Sequence, residues 1–470
     1  MLQEHLIDAL SRNLTYKPTA GQLRLFGELA GFIRDPGKPE VLLIKGYSGT
    51  GKTSAMKSLT DVLDHLNIHA LLMAPTGRAA KVLASYTGRE AFTIHKKIYR
   101  QKSAKDGFGR FVLNFNAAFQ TIFIVDEASM IPDHSSDPSV FGSGKLLDDL
   151  FSFVFSGKQC KLILIGDAAQ LPPVGLEISP ALDKSYLEKY GYPVTGVFLD
   201  EVVRQEEGSG ILSNATYIRK KISSRNFSLP LFDLNACTDV VRINGREMIE
   251  LLEDYYRDDS NDEAVIIVRS NRMANRYNHG IRQQILYREE ELAVGDRIMV
   301  VKNNYYWMPE GEDFLANGDI FEIVEVGGYE ERYGYRFADI TINVPGKSPY
   351  QMDVYVMLDT LNIDAPALSA KQNKELFYAI LEDFPEKKKT RKMYNEVRGN
   401  LYFNALQIKF AYAVTCHKAQ GGQWSTVFLD QGYIPQENLN VEYLRWLYTA
   451  LTRATEKVYL VNFHDMFFRS

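Results

Sequence analysis

Cysteine is scarce in this chain. Cys160, Cys237 and Cys416 are the three it has, far apart in 470 residues. That spacing builds neither a disulfide framework nor a metal-ligand pattern, and it fits a reducing compartment. Long apolar runs are missing as well. No stretch of about 18 apolar residues occurs, so no membrane-spanning helix is expected. The opening Met1-Leu-Gln-Glu-His has no basic segment leading into an apolar one. No secretory leader is expected from it, and a cytoplasmic setting is. Excess positive charge is also absent: 54 Lys and Arg against 59 Asp and Glu leave a net charge of −5. A basic surface over the whole chain is excluded, but a local basic groove is not. The remainder is ordinary globular composition, 45% hydrophobic and 24% charged. Its length suits roughly three domains.

One stretch organises the rest. Val41 to Ile44 is a buried-strand run that leads into Gly46-x-x-x-x-Gly51-Lys52-Thr53, and a helix is expected from Ser54 to His65. This is the phosphate-binding P-loop pattern in its strand–loop–helix setting. Gly46, Gly49 and Gly51 permit a tight turn and leave bare backbone for a triphosphate. The loop amides, those of Ser48 and Thr50 among them, and the positive end of the helix then face the anion. Lys52 reaches the terminal phosphates, and the Thr53 hydroxyl suits Mg²⁺.

Before the loop, a helix is expected from Ala20 to Ile33, capped by Thr19 or Thr15. Gln22 on it is either a surface residue or, given the P-loop nearby, an amide able to read an adenine edge with one donor and one acceptor. After the loop, a second strand, Ala70 to Ala74, ends at Pro75-Thr76-Gly77-Arg78. This is either a plain strand-to-helix turn or a seat for a nucleic-acid phosphate. Thr93-Ile94-His95-Lys96-Lys97 is a further polar, basic cluster. Residues 102–118 carry Asp106-Gly107 between two short strands, a hairpin signal with Phe108 near its tip.

A third strand, Thr121 to Val125, ends in Asp126-Glu127. Such an acidic pair fits a P-loop enzyme, with Asp126 holding Mg²⁺ and Glu127 polarising the attacking water. A fourth strand, Lys161 to Ile165, leads to Gly166-Asp167 and Gln170, placed to feel a γ-phosphate. Arg204 follows another apolar strand and is either solvated or a charge-stabilising finger. Residues 206–260 read as a polar helical connector. Strand–helix alternation resumes at Val265 to Val268, which predicts a second α/β domain. From about Glu322 to Leu361, short alternating strands with Gly-Gly and Pro-Gly turns predict a small β-barrel. A charged helical stretch, 369–400, contains Lys387 to Lys392. The second core closes with Thr415-Cys416-His417-Lys418-Ala419-Gln420-Gly421 and Tyr448 to Ala454.

Each later segment is weak alone, but their order is specific. It resembles the superfamily 1B DNA helicases of the RecD/Pif1/Dda-like branch, over about residues 16 to 462. The resemblance implies an α/β fold: two RecA-like P-loop domains with an inserted β-hairpin pin and an inserted SH3-like barrel. It places the first domain at 1–205 with the hairpin at about 100–120, the second at 206–325 and 405–470, and the insert at 326–404. The cofactors implied are ATP and Mg²⁺, the latter on Thr53 and Asp126. Gln22 would read adenine, Lys52 the phosphates, Glu127 would be the base, and Gln170 the sensor. Arg204 and Arg453 would reach the γ-phosphate, and Gln420 and Gly421 would add second-domain contacts. Single-stranded DNA would meet Pro75, Thr76, Arg78, Thr93, His95, Lys96, Thr415 and His417, with Phe108 at the pin.

The implied activity is 5′→3′ translocation on single-stranded DNA with unwinding of tailed duplex by a monomer. Two other readings stand beside it. One is a DNA-stimulated ATPase that displaces protein without processive unwinding. The other is a P-loop kinase or signalling NTPase.

Overall fold

The computed structural model describes residues 2–35, 37–102, 110–133, 142–203, 209–235, 237–257, 264–308, 314–344, 350–384 and 391–469. It divides into two compact units. One is built from Met1–Ser103, Gly109–Ser228 and Asn440–Thr452, the other chiefly from Leu229–Leu439 and Arg453–Ser470.

The first unit is a parallel sheet of β1 (Val41–Gly46), β2 (Ala70–Ala74), β3 (Ala91–Thr93), β6 (Ile122–Val125), β7 (Lys161–Gly166) and β8 (Val194–Leu199). A separate antiparallel pair, β4 (Tyr99–Lys102) and β5 (Arg110–Leu113), forms the expected hairpin. Its tip, with Phe108, lies outside the described residues. The sheet order is β3-β2-β6-β7-β1-β8. β1 and β7 are buried along nearly their whole length, as strands covered on both faces must be.

Successive side chains leave a strand on opposite faces. Leu42 and Ile44 therefore pack with Leu25, Phe26 and Leu59 on one side. Val41 and Leu43 pack with Leu147, Leu150 and Phe151 on the other. The order β6-β7-β1 has a direct consequence. The three strands that end in Asp126, Asp167 and the P-loop are neighbours, so their carboxyl ends share one edge, where ligands of open parallel sheets bind.

The second unit holds a parallel sheet of β9 (Val240–Ile243), β10 (Ala264–Val268), β16 (Ala413–Thr415), β17 (Trp424–Asp430) and β18 (Ala454–Val461), in the order β16-β10-β17-β18-β9. Beside it is a closed barrel of β11 (Arg297–Val300), β12 (Ile320–Arg332), β13 (Tyr335–Val344), β14 (Tyr350–Met357) and β15 (Leu406–Phe410). Two features differ from the expectation. The barrel takes in β11 and β15, which had been placed with the second sheet. They pair antiparallel with each other, Ile298 opposite Phe410, and that pairing closes the barrel. The region 206–260 is not only helical, because its Val-Val-Arg-Ile segment pairs with β18 as an edge strand. Helices Ala370–Glu382 and Arg391–Arg398 pack on the barrel through Phe377, Ile380 and Val397 against Phe337 and Met357. No described helix is long and apolar enough to cross a membrane.

Candidate nucleotide and nucleic-acid sites

The P-loop turns between β1 and helix Lys52–His65. Gly51 precedes the helix at φ 79°, and a Cβ there would run into the Gln22 amide and the Tyr16 hydroxyl. Only glycine meets both constraints. The Thr50 hydroxyl donates to the Tyr47 carbonyl at 2.8 Å and tightens the turn. Lys52 Nζ donates to the Gly46 and Tyr47 carbonyls, each at 2.8 Å. Among the described residues the Thr53 hydroxyl makes no hydrogen bond, so it keeps its acceptor for a cation.

Gln22 is fully buried. Its amide donates to Tyr16 Oη at 2.9 Å and to the Thr50 carbonyl at 3.3 Å. Its Oε1 accepts from the Thr19 N–H, completing a capping box on helix Ala20–Arg34. Of the two caps considered, Thr19 is therefore the one used. Gln22 also braces the back of the P-loop.

At the end of β6, Asp126 is half-buried and accepts from the Glu127 N–H at 2.8 Å. Burial raises its carboxyl above the ordinary range, while that N–H and the Lys52 charge pull it down. Glu127 adopts φ 51°, a left-handed conformation uncommon without glycine. At the end of β7, Asp167 accepts from the Ala169 N–H at 2.8 Å. Gln170 is buried, and its Oε1 has no partner among the described residues. An orphaned buried acceptor beside a half-buried carboxylate and the free Thr53 hydroxyl suits a hydrated divalent cation and its phosphate, so the donor set fits Mg²⁺.

Helix Val441–Leu451 belongs to this same unit and lies against the site. Its buried Tyr448 accepts from the Ser48 N–H at 2.9 Å and donates to Asp167 at 2.7 Å. Thr449 accepts from the Leu171 N–H at 2.9 Å. Arg445 donates to the Gln170 carbonyl at 3.4 Å. None of these three was assigned a role from the sequence. The signal available was helical spacing, since 445, 448 and 449 lie on one face. Arg204 lies outside the described residues.

In the second unit, Arg453 is buried and donates to the Gly422 carbonyl at 3.2 Å. Its charge lies close enough to lower the Cys416 thiol, which burial nonetheless pushes up to about 12. Gln420 is buried, and Gly421 takes φ 74°. Thr415 and His417 flank the start of helix Cys416–Ala419 and are half-buried.

The candidate nucleic-acid residues of the first unit sit differently from one another. Thr76 caps helix Gly77–Thr87 by accepting from the Ala79 N–H, and Pro75 and Arg78 flank it half-buried. Thr93 is only 2% exposed and caps helix Ile94–Ile98 through the Lys96 N–H. His95 packs on Tyr99, and burial pushes its imidazole down to about 4, so it is neutral at pH 7. Lys96 lies over the Phe92 ring.

A lysine patch in the second unit was not foreseen. Lys302 donates to Asn373 at 2.8 Å, and Gln407 donates to the same oxygen at 3.1 Å. Lys409 bonds Asn275 and the Ile363 carbonyl, and Lys418 bonds Asn317. None of the three has an ion-pair partner among the described residues. Burial pushes each down to about 8, and Lys409 pushes Lys418 further the same way. Ammonium groups held by neutral amides, buried at Lys409, half-buried at Lys418 and on an exposed residue at Lys302, form a seat for an anion.

Comparisons with known proteins bear on this arrangement. Residues 37–227 match the AAA domain family, and residues 410–461 match the UvrD-like helicase C-terminal domain family. The chain is 22% identical over 475 residues to the ATP-dependent DNA helicase dda of Enterobacteria phage T4, covering 94% of this chain and 99% of that one. It is 22% identical over 465 residues to the ATP-dependent RecD2 DNA helicase of Deinococcus radiodurans, covering 94% of this chain and 50% of that protein, and so spans about half its length. An uncharacterized protein of Acanthamoeba polyphaga mimivirus is 22% identical over 496 residues, with 89% and 94% covered. A Bacteroides Pif1 helicase solved with ADP-AlF3 and ssDNA aligns over 97% of this chain and 95% of its own, at 14% identity and a TM-score of 0.46. The class is an α/β protein with one parallel-sheet unit carrying a P-loop and a second parallel-sheet unit carrying a closed barrel. Within it, the chain is similar to DNA helicases of the RecD2 and Dda kind over 94% of its length.

Proposed function

We propose that this chain is an ATP-dependent DNA helicase that moves 5′→3′ along single-stranded DNA and unwinds tailed duplex as a monomer. One observation carries the reading. Lys52, Asp126 and the Asp167–Gln170 segment meet at one edge because β1, β7 and β6 are adjacent. That edge offers loop amides, a cation, a carboxylate and an unsatisfied acceptor, the set that phosphoryl transfer needs. Lys52 would bind the terminal phosphates, and Gln22 would stand at the adenine. Thr53 and Asp126 would hold Mg²⁺, which supplies Lewis-acid neutralisation of the phosphate charge. Glu127 would take the proton of the attacking water, and Gln170 would sense the γ-phosphate. Arg204 and Arg453 would add positive charge there, with Gln420 and Gly421 as second-domain contacts. The proposed domain plan keeps the first ATPase domain within 1–205 and the second in 206–325 with 405–470, less the strands Arg297–Val300 and Leu406–Phe410 that the barrel takes in. The barrel and helical insert lie between them.

The lysine patch favours a nucleic-acid partner over a small-molecule kinase substrate. Lys302, Lys409 and Lys418 give a chain of net charge −5 a local seat for a polyanion, beside Thr415 and His417. Pro75, Thr76, Arg78, His95 and Lys96 would meet the same strand on the first unit. Thr93 would act there through its cap on the Lys96 amide. The test is ATP hydrolysis with and without single-stranded DNA, followed by unwinding of 5′-tailed and 3′-tailed duplexes. Stimulation by DNA and unwinding of the 5′-tailed duplex alone are expected. ATPase activity indifferent to DNA would sink the reading, and protein displacement without unwinding would favour a remodelling ATPase.

A further inference from the structure

Tyr448 is 1% exposed, and its hydroxyl joins two parts of the site that are 400 and 281 residues distant in sequence. Toward Ser48 the phenol oxygen accepts, and toward Asp167 its proton is donated. Asp167 is itself 1% exposed and has the Ala169 N–H as its other partner. One turn before it Arg445 grips the Gln170 carbonyl, and next to it Thr449 grips the Leu171 N–H. A single helix face thus holds both the P-loop and the segment that carries Gln170. The phenol is held well above its ordinary range by burial and by Asp167, so it stays protonated as the donor.

We propose that Tyr448 is a positioning residue that competes with the nucleotide's phosphate for the Ser48 amide. The inference rests on the reading of the P-loop as an ATP site. A loop N–H at the start of a P-loop is a phosphate donor by its place in the fold. A phosphate oxygen is the stronger acceptor for it, because the bond is then charge-assisted. The phenol loses Ser48 to the phosphate and keeps Asp167, so no buried donor is left unpaired. The Asp167–Leu171 segment stays tied to the helix through Tyr448 and Thr449. The state of the P-loop is thereby reported to the helix that places Gln170, and this helix runs into Arg453 two residues past its end. Adenosine carries no phosphate and does not enter the competition.

The experiment is equilibrium binding of a non-hydrolysable ATP analogue and of adenosine to the full chain, without DNA. Tyr448→Phe keeps the ring and removes the competing oxygen. The analogue should bind about 2- to 10-fold tighter to the variant, the range one neutral hydrogen bond supplies, and adenosine affinity should not change. In steady state, KM should fall with the dissociation constant. DNA-stimulated kcat should also fall, because Asp167 loses a partner and the Gln170 segment loosens. Equal or weaker analogue binding by the variant, with wild-type binding intact, overturns the inference and leaves the ATP site standing. No analogue binding by the wild-type chain overturns both.

Should Tyr448→Phe not fold, meta-fluorotyrosine at position 448 supplies the second measurement. Its fluorine resonance should move with the ATP analogue and stay in place with adenosine. A resonance unmoved at saturating analogue overturns the proposal.

Discussion

Lys52 Nζ lies 2.8 Å from the Gly46 carbonyl oxygen, and the Tyr47 carbonyl is equally close. The loop's own backbone holds the ammonium group, and none of the described DNA-candidate residues is hydrogen-bonded to it. Lys52→Ala removes a donor to the nucleotide only. ATP hydrolysis should fall by about 100-fold or more, the scale set by losing one preorganised donor to transition-state charge. Affinity for single-stranded DNA, measured by fluorescence anisotropy, should be unchanged. A parallel loss of DNA binding would mean that the lysine serves both sites.

Asp296 is fully buried between two arginines. It accepts from Arg282 Nε at 3.0 Å, Arg288 Nη1 at 2.7 Å, Tyr412 Oη at 3.0 Å and the Ala293 N–H at 2.8 Å. Arg282 is itself 4% exposed, so removing the carboxylate strands a buried cation. Asp296→Ala should destabilise the chain by about 3–5 kcal/mol. Urea unfolding followed by circular dichroism checks this, and a loss under about 1 kcal/mol would mean that solvent reaches the arginines in the variant.

His95 carries a pH prediction. Burial lowers its imidazole to about 4, against 6.5 for the ordinary side chain. A depressed folded-state value means that the unfolded chain binds the extra proton first. The stabilising contribution is therefore complete above about pH 6.5 and is lost as pH falls through that value toward about 4. The stability gap between the native chain and His95→Gln should narrow from about pH 7.5 to about pH 5. A gap independent of pH would show the imidazole charging freely in the folded protein.

The lysine patch gives a second pH prediction, of opposite origin. Lys302 and Lys418 sit at about 8 without a DNA phosphate, so above that pH they must take up protons to bind one. DNA affinity should fall between about pH 7 and about pH 9, and the Lys302→Ala, Lys418→Ala double variant should flatten that fall. The variant should also lower the salt slope by about 0.7 for each phosphate it no longer neutralises, the value for single strands. An unchanged slope would place the DNA elsewhere.

The P-loop and its neighbours were legible because parallel strands buried on both faces are continuous apolar runs. Val41–Ile44, Ile122–Val125 and Lys161–Gly166 each end in the polar residues that matter. The barrel's extent was not legible. Arg297–Val300 and Leu406–Phe410 have the same composition as strands of the second sheet, and only their pairing puts them in the barrel. Thr93 shows a different limit. Its residue type suits a nucleic-acid contact, but its hydroxyl is used as a helix cap in the core. Polar side chains that cap or brace look the same in sequence as those that bind.

The sequence alone determined that a P-loop turn lies at Gly46 to Thr53, since its glycines, lysine and flanking strand are local and their geometry is dictated by adjacent residues. It determined the two α/β halves for the same reason. Tertiary structure decided the rest. Strand order brought Asp126 and Asp167 to the P-loop, and helix packing placed Tyr448 on the Ser48 amide. Neither has a local signature, because each depends on which distant segments share a sheet or a face.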